Sequence, residues 1–215
     1  MASRSLRKRA LSVAWLTLAT GAVVLGIAAA PASAGLGISC PDPATHPFAA
    51  WGDYDDYAFV PNGGFEYGWV GWTLSGGARV VPGNETFSVH GAGDAYSLSL
   101  PPGSSATTPP MCIALFSGHM RFFTANAGAS SSRLRVQVLY GGGTGSLLGL
   151  VGKTLGLSDL GYVGSGAPWQ PSPPVAMLGG QLPLLTQYVQ FRFSPADSSG
   201  AWRIDDVYLD PLMFG

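Results

Sequence analysis

From Gly68 onward, short runs of alternating apolar and polar residues are broken every few positions by Gly, Pro or Ser. In Leu134–Tyr140 the residues Leu134, Val136, Val138 and Tyr140 share one side, and Arg133, Arg135 and Gln137 share the other, because successive side chains on a strand point to opposite faces. In Tyr188–Phe193 the apolar side is Val189, Phe191 and Phe193, and the other is Tyr188, Gln190 and Arg192. His119, Arg121 and Phe123 share a side of a third run. The pattern predicts strands at 70–74, 78–81, 95–100, 111–114, 119–125, 134–140, 188–194 and 202–209. Pro82-Gly83-Asn84, Pro101-Pro102-Gly103 and Gly141-Gly142-Gly143 end runs by supplying fixed or positive φ. Evidence for helix is thin. Leu147–Leu160 contains Gly149, Gly152 and Gly156 without a good capping box, and reads as a hairpin or long loop. Residues 161–183, rich in Gly and Pro, read as a surface excursion between core strands. Short strands with this punctuation predict an all-β fold, a β-sandwich jelly roll.

The first 34 residues change the picture of where the chain works. Arg4, Arg7, Lys8 and Arg9 precede an apolar run from Ala10 to Ala30, and Ala32-Ser33-Ala34 fits a signal-peptidase site. The expectation is a cleaved signal peptide over 1–34 and an exported chain with no further membrane span; the alternative is a retained anchor. Residues 35–59, with Pro41, Pro43 and Pro47, read as an irregular lead-in to one domain over 60–215. Cleavage leaves seven basic residues against twelve acids, a net charge of −5. No basic cluster survives, which argues against nucleic acid as a partner. Cys40 and Cys112 suggest one disulfide in an exported protein. Closing a loop of about 70 residues would stabilise the fold by roughly 4 kcal/mol.

Three groups of residues carry candidate chemistry. The first is the polar side of the strands: Arg121, Arg135, Gln137, Tyr188, Gln190 and Arg192. Placed together, they would offer donors for vicinal sugar hydroxyls beside aromatic edges. The plainer reading is a solvated outer sheet face. The second is a set of aromatics outside the core strands: Trp51, Tyr54, Tyr57, Tyr162 and Trp169, of which Trp169 joins the ligand-binding candidates. Trp72 and Trp202 are assigned to the core. The third is a set of carboxylates, Glu66, Asp205 and Asp206, which resemble the calcium-holding acids of galactose-binding-like modules; the plainer reading is that they make hydrogen bonds at strand ends. No nucleophile elbow and no His or Cys metal spacing is present, and no catalytic residue is assigned. Asn84-Glu85-Thr86 matches a glycosylation sequon.

Asn62-Gly63-Gly64-Phe65-Glu66, Gly71-Trp72 and Ile204-Asp205-Asp206-Val207 resemble the opening and closing strands of a galactose-binding-like jelly roll, similar to carbohydrate-binding modules. The resemblance covers roughly residues 60–211. The chain also looks like a group of small secreted actinobacterial proteins that combine this domain with an upstream Cys. The resemblance implies the jelly-roll fold, a structural calcium held by Glu66 with Asp206 or Asp205, and a carbohydrate or cell-envelope glycan as ligand. It departs from most such modules in having no catalytic domain beside it. The leading expectation is a secreted non-catalytic glycan-binding module. A structural or protein-interaction domain of the cell surface comes second, and a hydrolase with an unrecognised site third. A concave face bearing clustered, exposed Arg121, Arg135 and Arg192 would favour the first. A face covered by the lead-in or by the loop over 161–183 would favour the second.

Overall fold

The computed structural model describes residues 45–112, 118–140, 156–164, 168–177 and 188–210. Its strands are β1 (Ala58–Phe59), β2 (Thr73–Ser75), β3 (Arg79–Pro82), β4 (Tyr96–Leu100), β5 (Ser105–Thr107), β6 (Met111–Cys112), β7 (His119–Asn126), β8 (Leu134–Tyr140), β9 (Gly156–Val163), β10 (Gln170–Pro171), β11 (Val175–Ala176), β12 (Tyr188–Pro195) and β13 (Trp202–Leu209). They form two sheets, and the pairings within them are antiparallel. The first runs β10-β7-β13-β4-β3, with β1 also on β13 and β11 on β7. The second runs β2-β5-β12-β8-β9, with β6 also on β12.

The inner faces follow the alternation. Leu98, Leu100, Met120, Phe122, Trp202 and Ile204 of the first sheet meet Val136, Val138, Phe191 and Phe193 of the second in one core, all buried. Removing each such side chain from water stabilises the fold by roughly 1.5–3 kcal/mol. Trp72 belongs to this core and lies 4.8 Å, ring to ring, from Phe65. The indole of Trp72 donates to the Pro61 carbonyl at 3.2 Å.

A second apolar cluster lies on the outer face of the first sheet. Phe48 and Tyr57 of the lead-in, both buried, cover Phe123 of β7 and Tyr208 of β13. The Phe48 ring stacks on Phe123 at 5.5 Å and meets Tyr57 edge-on at 5.0 Å. A 3-10 turn over Ala49–Trp51 and a bridge between Thr45 and Tyr57 fold this strap back on itself. Tyr57 is therefore a core residue, contrary to its placement with the exposed aromatics. The strap explains why Phe123 alternates onto an outer face without meeting solvent.

The sequence motif Asn62-Gly63-Gly64-Phe65 makes the turn into the body. A Cβ on Gly63 would lie 2.9 Å from the carbonyls of Val60 and Val207, so the close approach to β13 requires glycine. Asn62 and Phe65 both adopt positive φ, and the Asn62 amide donates to the carbonyls of Gly68 and Val70.

The strands expected at 78–81, 95–100, 119–125, 134–140, 188–194 and 202–209 are present to within a residue or so at each end. The run expected at 70–74 starts only at Thr73, because Trp69–Gly71 forms a turn. Leu147–Leu160 was expected as a hairpin or long loop; residues 147–155 lie outside the described residues, and Gly156–Val163 is the edge strand β9, antiparallel to β8. Gly156 and Gly161, the latter at φ 142°, broke the alternation there, and the register shifts beside Gly161. The expected surface excursion at 161–183 contributes β10 and β11 to the first sheet. Cys40 and the side chain of Cys112 lie outside the described residues, and the expected disulfide with them.

Candidate functional site

Four of the polar residues named from the sequence share the outer face of the second sheet. Cross-strand register aligns Thr73 with Thr107, Thr107 with Arg192, Arg192 with Gln137 and Gln137 with Asp159. A neighbouring row aligns Ser194 with Arg135 and Arg135 with Tyr162. Directly opposed side chains on one sheet face lie close enough to act on one ligand together. Arg135 donates to Asp159 through Nε at 2.8 Å and Nη2 at 2.7 Å, and Gln137 donates to the same carboxylate at 3.0 Å. The hydrogen bond to Asp159 holds Arg135 above its usual pKa, and the same bond holds Asp159 below the ordinary carboxylate value. Gln190 donates to the Thr108 carbonyl at 2.8 Å. Tyr162 and Leu157 stand out from β9, 51% and 46% exposed. The face therefore presents the Arg135–Asp159 pair with Tyr162 and Leu157 beside it, while Thr107 and Gln137 of the same row are buried.

Arg121 is not part of it. β7 belongs to the first sheet, and Arg121 is buried beneath the strap. Its Nη1 pairs with Asp53, its Nε donates to the Ser172 carbonyl at 3.0 Å, and its guanidinium lies 4.3 Å from the Phe48 ring centroid. Tyr57 also donates to Asp53 at 2.8 Å, and His119 Nε2 lies 2.6 Å from that hydroxyl. Burial raises the Asp53 carboxyl, but the bonds from Arg121, Tyr57 and the Asp55 amide outweigh it and leave the group below its ordinary value. Trp169 is also on this side, partly buried against the Phe48 cluster, with the Arg203 guanidinium 5.4 Å from its ring centroid. Tyr188 starts β12, and its side chain is outside the described residues.

The three predicted metal residues have separate settings. Asp205 is buried and accepts the Glu85 amide at 2.9 Å. Burial chiefly, with repulsion from Asp206 and Glu85, pushes its carboxyl up to about 9. Glu66 accepts the amides of Ala95 at 2.8 Å and Tyr96 at 2.9 Å, at the start of β4. Asp206 sits in the bulge of β13 at φ 43°. Its Oδ2 accepts the His90 amide at 3.0 Å, while its buried Oδ1 has no hydrogen-bond partner among the described residues. Burial pushes this carboxyl up to about 6.

Asp94 and His90 complete a group that sequence reasoning missed. One ligand atom from each of His90, Asp94 and Asp206 lies within 4.8 Å of the others. A Cβ on Gly64 would stand 2.9 Å from Asp206 Oδ1 and 3.8 Å from Asp94 Oδ2, so glycine leaves the carboxylates room. An orphaned buried carboxylate oxygen beside a second carboxylate fits a hard cation. His90 stacks on Phe59 at 3.9 Å and helps to line a cleft of about 290 Å³ with Thr45, His46 and Tyr208. Both amide atoms of Asn84 are buried, so the sequon side chain does not reach solvent.

No protein-family model matches the chain, and no curated protein matches it. Solved structures do. The chain is similar to the N-terminal CBM22-1–GH10 modules of Clostridium thermocellum endo-1,4-beta-D-xylanase 10B complexed with xylohexaose, at 10% identity, over 72% of this chain and 29% of that chain, with a TM-score of 0.50. It is similar to the CBM22-1–CBM22-2 tandem domain of Paenibacillus barcinonensis Xyn10C at 12% identity, over 74% of this chain and 46% of that one, with a TM-score of 0.49. TmCBM61, solved with beta-1,4-galactotriose, matches at 18% identity over 71% of this chain and 97% of its own, with a TM-score of 0.45. The chain thus spans under a third of the xylanase chain and nearly all of TmCBM61. The fold is the all-β sandwich found in jelly-roll carbohydrate-binding modules.

Proposed function

We propose that the protein is a secreted, non-catalytic module that binds carbohydrate or a cell-envelope glycan on the outer face of its second sheet. The observation that carries this reading is an asymmetry between the two outer faces. The strap seals the first with Phe48 and Tyr57, while on the second Arg135 and Asp159 keep 37% and 46% of their side-chain surface. The pre-bonded Arg135 guanidinium and Asp159 carboxylate offer donors and acceptors to sugar hydroxyls, and Tyr162 supplies a ring for a C–H face. The likeness to carbohydrate-binding modules supports the same reading through fold alone.

The test is retention of the purified protein on insoluble polysaccharides and on a glycan array. Binding is expected, with Asp159→Ala weakening it about tenfold while the melting temperature moves little, since an exposed ion pair contributes only about 0.2–1 kcal/mol. Absence of binding to every glycan would overturn the reading. One observation favours a second reading, a protein-interaction domain: Tyr67, Trp69 and Val70 stand exposed on the turn that Asn62 pins. Binding that disappears in Trp69→Ala and survives in Asp159→Ala would favour it.

We also propose a structural calcium at Asp206 and Asp94. Glu66, already engaged with the start of β4, lies outside that group of ligand atoms.

A further inference from the structure

We infer that the glycan taken by the second sheet carries carboxylates, a polymer built from hexuronates, and that Arg192 holds them. The inference rests on the glycan-binding reading above and names its ligand class. Arg192 lies in the middle strand of the row, between Thr107 and Gln137, and is half-buried. Its one side-chain hydrogen bond among the described residues runs from Nε to Thr107 Oγ1 at 3.4 Å, which is long. A guanidinium has five N–H donors in a fixed fork, so four remain unused.

Its charge is also unanswered. No carboxylate among the described residues lies within ion-pair distance of Arg192, and every acid of the chain except Asp42 is among them. The other arginines differ. Arg121 is neutralised by Asp53 and Arg135 by Asp159. Arg203 has no carboxylate but donates to Ser97 and to the carbonyls of Pro82 and Gly83. Arg79 and Arg133 are exposed to water. A partly desolvated guanidinium with free donors is a ready partner for a planar carboxylate, which it binds through two parallel hydrogen bonds. Since Arg135 and Asp159 cancel, Arg192 leaves this face locally positive. The acidic remainder of the chain acts weakly across distances beyond about 10 Å at 0.1 M salt.

Calorimetric titration of the full chain with an oligogalacturonide, its methyl ester and xylohexaose tests this. Esterification removes the charge and keeps the backbone, so the acid is expected to bind at least tenfold more tightly than the ester. Arg192→Gln should bring the two within about twofold, and Arg79→Gln should preserve the difference. Equal binding of acid and ester by the unaltered protein overturns the inference and leaves the glycan reading standing. Binding of none of the three probes overturns the inference, and the glycan array then decides the reading on which it rests. An acid preference that survives in folded Arg192→Gln removes Arg192 from the role. If Arg192→Gln does not fold, Arg192→Lys keeps the charge and loses the fork, and it is expected to lower the preference severalfold; an unchanged preference there counts against Arg192 in the same way.

Discussion

Arg121 and Arg192 occupy equivalent places in their strand patterns, each one residue before an inward-facing phenylalanine. Their surroundings give them opposite work. Arg121 is sandwiched between Asp53 and the Phe48 ring, so its charge is answered inside the fold. Removing it strands a mostly buried carboxylate. Arg121→Met is expected to cost about 3 kcal/mol in urea unfolding and to leave glycan retention unchanged. Asp53 gives this contact a pH dependence. Its folded pKa lies below the ordinary 3.8, so its contribution is complete above about pH 4 and is lost as pH falls through the lowered folded value. Thermal melts between pH 5 and 2 are expected to show a steeper loss of stability in the unaltered protein than in Asp53→Asn.

At the scale of elements, the bulge in β13 turns one strand into two carboxylate settings. Between Asp205 and Tyr208 the register shifts, and Asp206 takes a left-handed backbone that a non-glycine residue adopts only when its surroundings hold it there. Asp205 then faces Glu85, and Asp206 faces His90 and Asp94. Calcium at Asp206 and Asp94 would bind the native state alone and so raise the melting temperature. The expected result is a rise in calcium, reversed by chelator and absent in Asp206→Asn; a melting temperature indifferent to calcium removes the metal. Much of this level was legible beforehand. The alternation in Leu134–Tyr140 and in Val189–Phe193 assigned each residue to its face, and those faces are as expected. Alternation says nothing about which sheet a strand joins, and so Arg121 was grouped with Arg135 and Arg192 although β7 pairs with β13. β5 was missed because Ser105, Ala106 and Thr107 are too small to stand out as a strand, and β9 because glycine interrupts its inward side. Asp94 was missed because its ion pair with the His90 ring, at 2.7 Å four residues away, reads as local, while the carboxylate beside it, Asp206, is distant in sequence.

Across the whole molecule, the two sheets share one core but not one surface chemistry. The lead-in, whose aromatic residues looked like loop decoration, closes the outer face of the first sheet through Phe48 and Tyr57 and leaves Arg135 and Asp159 of the second exposed. Sequence composition indicated the sandwich, while the choice of face depended on where a strap of about a dozen residues lies. The order of the strands has a further effect, on timing. β13 lies between β7 and β4 at the centre of the first sheet, yet it is the last strand in chain order. While the polypeptide emerges from its N-terminal end, β4 and β7 have no central partner, and Phe123 has no Tyr208 beside it. The first sheet closes only when Trp202–Leu209 arrives to join β4 and β7, so its central pairings form last.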